Sequence, residues 1–267
     1  MTAPAGPLLN FVHVPKTAGT TFLSILRNNY PADRTFAIDG MDPGASLRRL
    51  EEMDPGARAR LVLLMGHWSI LGERFFPGRP ITRIVFLRNP LSHFLSMYHF
   101  IRGNPRHLQH EDARRMDLGE FLAFRKGMNL DNIQTRNLAG IATNMVAGSI
   151  DFSVEGDRWL ERAAREVDAS RYVFVTEEFD AALRILRHDG LLRDIRYREL
   201  MVSVGKSGVE VAPDLREAIL AGNRFDAILY ERARARYLDG LAAYPPEVKR
   251  PPGWAARLRE ALGIRGG

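Results

Sequence analysis

A lysine, a glycine and three threonines directly follow an apolar run near the N-terminus of the chain. The run Leu8–Val14 has the composition of a buried strand, and Lys16 and Gly19 come after it, just before a helical pattern begins. The three threonines are Thr17, Thr20 and Thr21. A glycine lets the backbone approach a ligand, while a lysine and the amides of a helix start attract an anion. This order of residues predicts a loop that cradles a phosphate-like group.

The spacing of the loop differs from two common phosphate-binding motifs. In a Walker A loop, G-x-x-x-x-G-K-[ST], the lysine follows the last glycine. Here Lys16 precedes Gly19, and no glycine lies between Gly6 and Gly19. The Rossmann pattern G-x-G-x-x-G is also missing from this segment. The alternative interpretation is an ordinary strand–turn–helix unit with a solvent-exposed lysine.

Three further apolar runs end in polar residues. They are Leu61–Met65, followed by Gly66 and His67, Ile84–Leu87, followed by Arg88 and Asn89, and Tyr172–Val175, followed by Thr176 and Glu177. The carboxyl ends of parallel strands meet at one edge of a sheet, where ligands bind. We therefore expect these residues to lie near the Lys16 loop. Arg88 and Ser96 could grip one phosphate together, and a surface or capping role is the alternative for Arg88.

Helical patterns separate the apolar runs. They cover Ala45–Met53, Leu91–Ile101, Asp157–Val167, Ala181–Arg187 and Asp214–Leu238. Near-continuous apolar strands that alternate with helices predict an α/β fold with a central parallel sheet flanked by helices. We predict one domain over residues 1–244. A Pro-rich linker and a short C-terminal helix, Trp254–Leu262, are predicted within residues 245–267.

Composition narrows the class of protein. The chain has 267 residues, of which 45% are apolar, so it can bury a large core. Its 38 basic and 32 acidic residues give a formal charge of +6, which favours anionic ligands but is too mild to indicate nucleic acid. The chain has no cysteine, which excludes thiol chemistry. We see no signal peptide and no apolar run of about 18 residues, and we expect a cytoplasmic protein without a transmembrane segment.

These motifs resemble those of one enzyme family. Pro15–Thr21 resembles the phosphosulfate-binding loop of sulfotransferases that use 3′-phosphoadenosine 5′-phosphosulfate (PAPS). Arg88–Tyr98 is similar to that family's 3′-phosphate motif, R-[DN]-P-x5-S-x-Y. The carbohydrate 2-O-sulfotransferases, which act on heparan and chondroitin uronic acids, are the most similar branch. Their G-H-x-S, N-x-Q-T-R and V-x-x-T-E-E segments resemble Gly66–Ser69, Asn132–Arg136 and Val173–Glu178.

The resemblance implies a P-loop-kinase-like sulfotransferase fold, with PAPS as donor, 3′-phosphoadenosine 5′-phosphate (PAP) as product and no metal. It implies that Lys16 stabilises the leaving phosphate, while Arg88 and Ser96 hold the 3′-phosphate. A late basic loop containing Lys206 is expected to close over the nucleotide. The donor-binding residues it implies are Lys16, Thr17, Ala18, Gly19, Thr20, Thr21, Arg88, Ser96 and Lys206.

Sulfuryl transfer to a hydroxyl needs a general base, and His67 is the candidate. A histidine has an ordinary pKa of about 6.5, which suits that role near neutral pH. The alternative role for His67 is that of a core or loop histidine bonded to a carbonyl. Glu73 is the nearest acidic residue that could act as the base instead. For the acceptor, the resemblance suggests that Asn132, Gln134 and Arg136 line its site, and a capped surface helix is the alternative. Arg102 belongs to a basic segment that fits either a wall of the acceptor site or a solvated loop.

The predicted function is therefore transfer of a sulfuryl group to a hydroxyl, on a saccharide, a glycolipid or another acceptor. One alternative is a nucleotide-dependent kinase of similar topology, which would need a Walker-type lysine and carboxylates for magnesium. Another is a non-catalytic protein that binds a nucleotide or a glycan. We predict no nucleic-acid partner, and the sequence leaves the acceptor and the oligomeric state open.

Overall fold

The computed structural model describes residues 6–128, 130–141, 150–197 and 211–249. Two predictions lie outside these ranges, namely the nucleotide contact by Lys206 and the helix Trp254–Leu262. Within the described ranges no helix combines the length and the apolar character that crossing a membrane requires.

A five-stranded, all-parallel sheet forms the centre of the molecule. Its strands are β1 (Leu8–Val12), β2 (Thr35–Ile38), β3 (Leu63–Gly66), β4 (Ile81–Leu87) and β5 (Tyr172–Val175), in the spatial order β2-β3-β1-β4-β5. In the middle of the sheet, Phe11 lies opposite Met65 on one side and Ile84 on the other. The predicted α/β fold with a central parallel sheet flanked by helices is confirmed, and it is consistent with a Rossmann- or P-loop-like fold.

Helices cover the sheet. They are α1 (Gly19–Asn29), α2 (Pro43–Glu52), α3 (Pro55–Arg60), α4 (Pro90–Gly103), α5 (His110–Arg115), α6 (Leu118–Gly127), α7 (Ile133–Leu138), α8 (Phe152–Ala169), α9 (Phe179–His188), α10 (Pro213–Gly222), α11 (Arg224–Leu241) and α12 (Pro246–Lys249). Several begin as their sequences dictate, with a polar cap and a proline in the first turn. At α4, for example, the Asn89 side chain accepts hydrogen bonds from the amides of Leu91 and Ser92.

Strand β2 is the one strand that the sequence analysis missed. Its four residues lie at the edge of the sheet and are mostly half-buried or exposed, so they lack the continuous apolar run of the inner strands. The turn residues Asp39 and Gly40, which follow this short β-favouring run, were the available signal.

The main core lies between the sheet and the helices packed on it. Phe11 and Phe22 meet edge to face at 4.7 Å between ring centres, beneath the loop that joins β1 to α1. Part of the predicted C-terminal linker also packs on the domain. Val248 of α12 is buried, and its carbonyl accepts a hydrogen bond of 2.9 Å from Arg184. The division at residue 244 remains a prediction.

Candidate functional site

The loop between β1 and α1 has an unusual backbone. Lys16 and Ala18 adopt left-handed conformations, with φ of 62° and 63°, although neither is glycine. Each such residue is disfavoured by roughly 1 kcal/mol, and a loop of this kind directs successive N–H groups to one side as an anion-binding nest. The Thr17 hydroxyl donates to the Val14 carbonyl at 2.9 Å and thereby holds the turn closed.

Helix α1 begins at Gly19, and the partial positive charge of its N-terminus is not neutralised by a side chain among the described residues. No side chain caps it among the described residues, and its first turn contains no acidic residue. The amides of Gly19 and Thr20, in the first turn, have no acceptor within the helix. The side chain of Thr20 is exposed, whereas that of Thr21 is buried. The backbone of the loop and helix therefore offers donors to an anion, as the sequence predicts.

Two side chains from the β4–α4 unit hold this loop in place. The Nε2–H group of His93 donates to the Pro15 carbonyl at 2.9 Å, and Nη1 of Arg88 donates to the Lys16 carbonyl at 3.1 Å. Burial lowers the pKa of His93 to about 4, so the ring is neutral at physiological pH. Hydrogen bonds from within the protein thus fix the backbone of the loop.

Lys16 and Arg88 form a pair of cations at the carboxyl edge of the sheet. Burial, followed by repulsion from Arg88, lowers the pKa of Lys16 to about 8. Burial also lowers the pKa of Arg88, although Glu177 opposes this shift. Among the described residues neither cation forms an ion pair with a carboxylate, and Nζ of Lys16 lies 4.0 Å from the centre of the Phe100 ring. The site therefore carries positive charge that a bound anion would neutralise.

Ser96 lies on the side of α4 that faces the loop. It follows His93 by three residues and precedes Phe100 by four, and both of these neighbours contact the loop. The structure therefore places Ser96, which is 4% exposed, on the same side of the helix as the Lys16 loop. Arg88, at the end of β4, and Ser96, on α4, therefore both lie on the side of the Lys16 loop, where the phosphate is predicted to bind.

The imidazole of His67 has the tautomer that a general base requires. Its Nδ1 lies 2.7 Å from the carbonyl oxygen of His13, which can only accept, so Nδ1 carries the proton and Nε2 keeps a lone pair. Burial lowers the pKa of His67, while the bond to His13 and the charge of Asp39 oppose this shift. The ring is therefore neutral at pH 7, with Nε2 basic.

Three neighbouring elements fix the His67 ring. It stacks on the His13 ring at 4.0 Å between centres and 20° between planes, and so adjoins the loop. Gly66 has a φ of 122°, and a Cβ there would lie 2.3 Å from the Ile38 carbonyl oxygen. A Cβ at Gly40 would lie 2.4 Å from Cδ2 of His67. The chain just after β2 thus packs against the imidazole, and the sequence analysis did not predict these contacts of His13 and Gly40.

Glu73 is not available as the alternative base. Its carboxylate accepts a hydrogen bond of 2.7 Å from Asn10 and forms an ion pair with the Arg83 guanidinium. Asn10 and Arg83 lie side by side on β1 and β4, within the sheet rather than at its carboxyl end. The carboxylate of Glu73 is thus engaged away from the Lys16 loop.

The three residues that the resemblance assigns to the acceptor site, Asn132, Gln134 and Arg136, are buried and bonded to protein groups. Gln134 is 1% exposed, and its carboxamide binds the Arg88 backbone. Arg136 forms an ion pair of 2.8 Å with Asp131 and lies 3.8 Å from the centre of the Phe152 ring. In this structure the segment supports the site from within instead of presenting polar groups to an acceptor, which differs from the role that the resemblance suggests.

Arg102 does not converge with Lys16 and His67. It lies on the side of α4 opposite Phe100, where its Nη1 donates to the Tyr98 hydroxyl and, at 3.1 Å, to the Met116 carbonyl. It lines an open cleft of about 680 Å³ that Arg114 and Arg115 also border. The predicted acceptor contact by Arg102 would therefore require an acceptor that reaches around the helix.

The fold and the site together define an α/β protein with a central parallel sheet, in which His67 lies beside the loop between β1 and α1. No protein-family model matches the chain, and no curated protein matches it. Within the described ranges no group of three or more histidine, aspartate or glutamate side chains is placed to hold a metal ion. The predicted metal-free chemistry remains a prediction.

Proposed function

We propose that the protein is a sulfotransferase that moves the sulfuryl group of PAPS to a hydroxyl of a saccharide, a glycolipid or a similar acceptor. One observation carries the proposal. Lys16 and Arg88 are two partly buried cations without a carboxylate partner among the described residues, and His67 adjoins the same loop in its basic tautomer. A donor with phosphate at both ends of its ribose suits two cationic positions.

The residues divide the chemistry among them. The 5′-phosphate lies in the loop, bound by the amides at the start of α1, while Arg88 and Ser96 bind the 3′-phosphate. The acceptor oxygen attacks sulfur as its proton passes to Nε2 of His67. The bond between sulfur and the bridging oxygen breaks, its electron pair leaves with PAP, and Lys16 neutralises the charge that develops on that oxygen.

The test is a transfer assay with purified protein, PAPS and a panel of saccharides and glycolipids. The variants Lys16→Ala and His67→Ala should each lose at least about a hundredfold in rate. The matched controls Lys126→Ala and His188→Ala change exposed residues outside the site and should retain full activity. Transfer that survives both site substitutions would refute the mechanism, and the absence of both transfer and PAP binding would refute the function.

The same assay separates the alternatives. Turnover of ATP with phosphorylation of an acceptor would favour a kinase. Tight PAP binding without transfer to any acceptor, unaltered by His67→Ala, would favour a non-catalytic binding protein.

A further inference from the structure

Gln134 forms a two-bond ring with the backbone of Arg88. The Arg88 amide donates to Oε1 of Gln134 at 2.9 Å, and Nε2 of Gln134 donates to the Arg88 carbonyl at 2.9 Å. The backbone chemistry fixes the orientation of the carboxamide, because an amide can only donate and a carbonyl can only accept.

This hydrogen-bonded ring lies just beyond the point where the pairing of β4 with β5 ends. The pairing of β4 with β5 ends at Leu87 and Val175, so Arg88 is the first residue beyond the ladder. An unpaired and partly buried peptide group at this point would be free to rotate and would lose hydrogen bonds. The carboxamide of Gln134 takes the place of a neighbouring strand and fixes both the N–H and the C=O group of Arg88.

Gln134 is itself held by α11, which lies far from it along the chain. The carboxylate of Asp226 on α11 accepts from the amide of Gln134 at 3.1 Å and from the amide of Thr135 at 2.7 Å. In return, Oδ1 of Asn132 accepts from the amides of Phe225 and Asp226. The starts of α7 and α11 thus cap each other, and this mutual capping orients the Gln134 side chain toward the strand end.

We propose that Gln134 is a positioning residue that gives the site its selectivity for a 3′-phosphate by holding Arg88. This role of Gln134 rests on the proposed function, since Arg88 is the residue assigned to that phosphate. The expected effect is specific. Loss of the ring should weaken the part of nucleotide affinity that depends on the 3′-phosphate more than the part that depends on the 5′-phosphate loop, because His93 also holds that loop.

The test compares the dissociation constants of PAP and adenosine 5′-phosphate by titration calorimetry. Gln134→Met keeps the side-chain volume and removes both hydrogen bonds. It should reduce the preference for PAP over adenosine 5′-phosphate about tenfold or more, with the larger loss of affinity falling on PAP. The matched control is Asn137→Leu, because Asn137 lies on the same helix with a buried side-chain amide that has no hydrogen-bond partner among the described residues. It should leave the preference unchanged.

The outcomes distinguish the inference from the function on which it rests. A wild-type protein that does not prefer PAP would refute the proposed function. A wild-type preference that persists in Gln134→Met would refute the inference alone. An equal loss of both nucleotides would show a merely structural role and also overturn the inference. If Gln134→Met does not fold, Gln134→Asn, which keeps an amide but is too short to bridge, gives the same comparison.

Discussion

Lys16 combines features that oppose folding and favour binding. It is a partly buried ammonium group beside a second cation, in a left-handed backbone conformation. Contact with the Phe100 ring offsets part of this penalty. Residues that destabilise a fold in this way are typical of binding sites, because the ligand supplies the missing interaction.

Replacing Lys16 should therefore make the protein more stable. The pKa of Lys16 is lowered on folding, so the charged group destabilises the folded state fully below about pH 8, and the effect fades as pH rises toward the unfolded value. Lys16→Met, which can still contact Phe100, should raise the free energy of unfolding at pH 7 by roughly 1 kcal/mol after allowance for solvent screening. Urea titration measures this, and lower stability of the variant would contradict the account.

The pH dependence of catalysis should report His67 and Lys16. As pH falls through the lowered pKa of His67, Nε2 gains a proton and can no longer act as base, so the acid limb of kcat/KM should lie at lower pH than an ordinary histidine would give. As pH rises through about 8, Lys16 loses its charge and kcat/KM should fall again. Bound phosphate raises the pKa of Lys16, so the alkaline limb of kcat should lie at higher pH. An alkaline limb that survives Lys16→Ala would contradict this assignment.

At the scale of elements, the site depends on where β2 and β3 end. Gly66 turns the chain so that His67 leaves the sheet, and Gly40 lets the end of β2 lie against the imidazole. The backbone packs close to a carbonyl at Gly66 and close to the imidazole at Gly40. Adding a methyl group at either glycine should therefore change the position of the His67 base.

Gly40→Ala should displace the His67 ring. A methyl group there would lie 2.4 Å from Cδ2, so the imidazole must shift and Nε2 loses its alignment. We expect the transfer rate to fall roughly tenfold to a hundredfold while PAP affinity stays unchanged. Gly240→Ala is the control, because a Cβ at that position meets nothing within 4 Å. Equal rates for wild-type protein and Gly40→Ala would show that His67 is not the base.

The sequence predicted the elements that carry a strong local signal. The inner strands are continuous apolar runs, and the Lys16 loop has its own residue pattern, so both were found from the sequence. The buried roles of Gln134 and Arg136 were not, since their hydrogen-bond partners depend on tertiary structure. The carboxylate of Asp226, which receives the Gln134 amide, lies far along the chain on another helix. Strand β2 was missed because an edge strand lacks a two-sided apolar pattern.

At the scale of the whole molecule, α7 and α11 link the site to the rest of the fold. Asp226 is fully buried and accepts from two amides and from the Thr135 hydroxyl. Burial raises the pKa of this carboxyl to about 6, and those hydrogen bonds oppose the shift. The carboxylate joins the two helices, so it affects both the geometry of the site and the stability of the whole protein.

Removing that carboxylate should destabilise the protein as a whole. Asp226→Ala leaves three buried donors unpaired and should lower the free energy of unfolding by about 2–4 kcal/mol, as measured by urea titration. The control is Asp168→Ala, which breaks an exposed ion pair between α8 and Arg232 on α11 and should change stability by less than about 1 kcal/mol. Equal effects of the two substitutions would mean that the buried link between α7 and α11 is not a major source of stability.

The donor is the central claim, and competitive nucleotide binding tests it most directly because it needs no knowledge of the acceptor. Titration calorimetry of the wild-type protein should show that PAP, without divalent metal, binds at least about tenfold more tightly than ADP. Lys16→Ala should lose that affinity. If ATP with magnesium binds more tightly than PAP, or if PAP and ADP bind equally, the site does not select a 3′-phosphate and the sulfotransferase assignment is wrong.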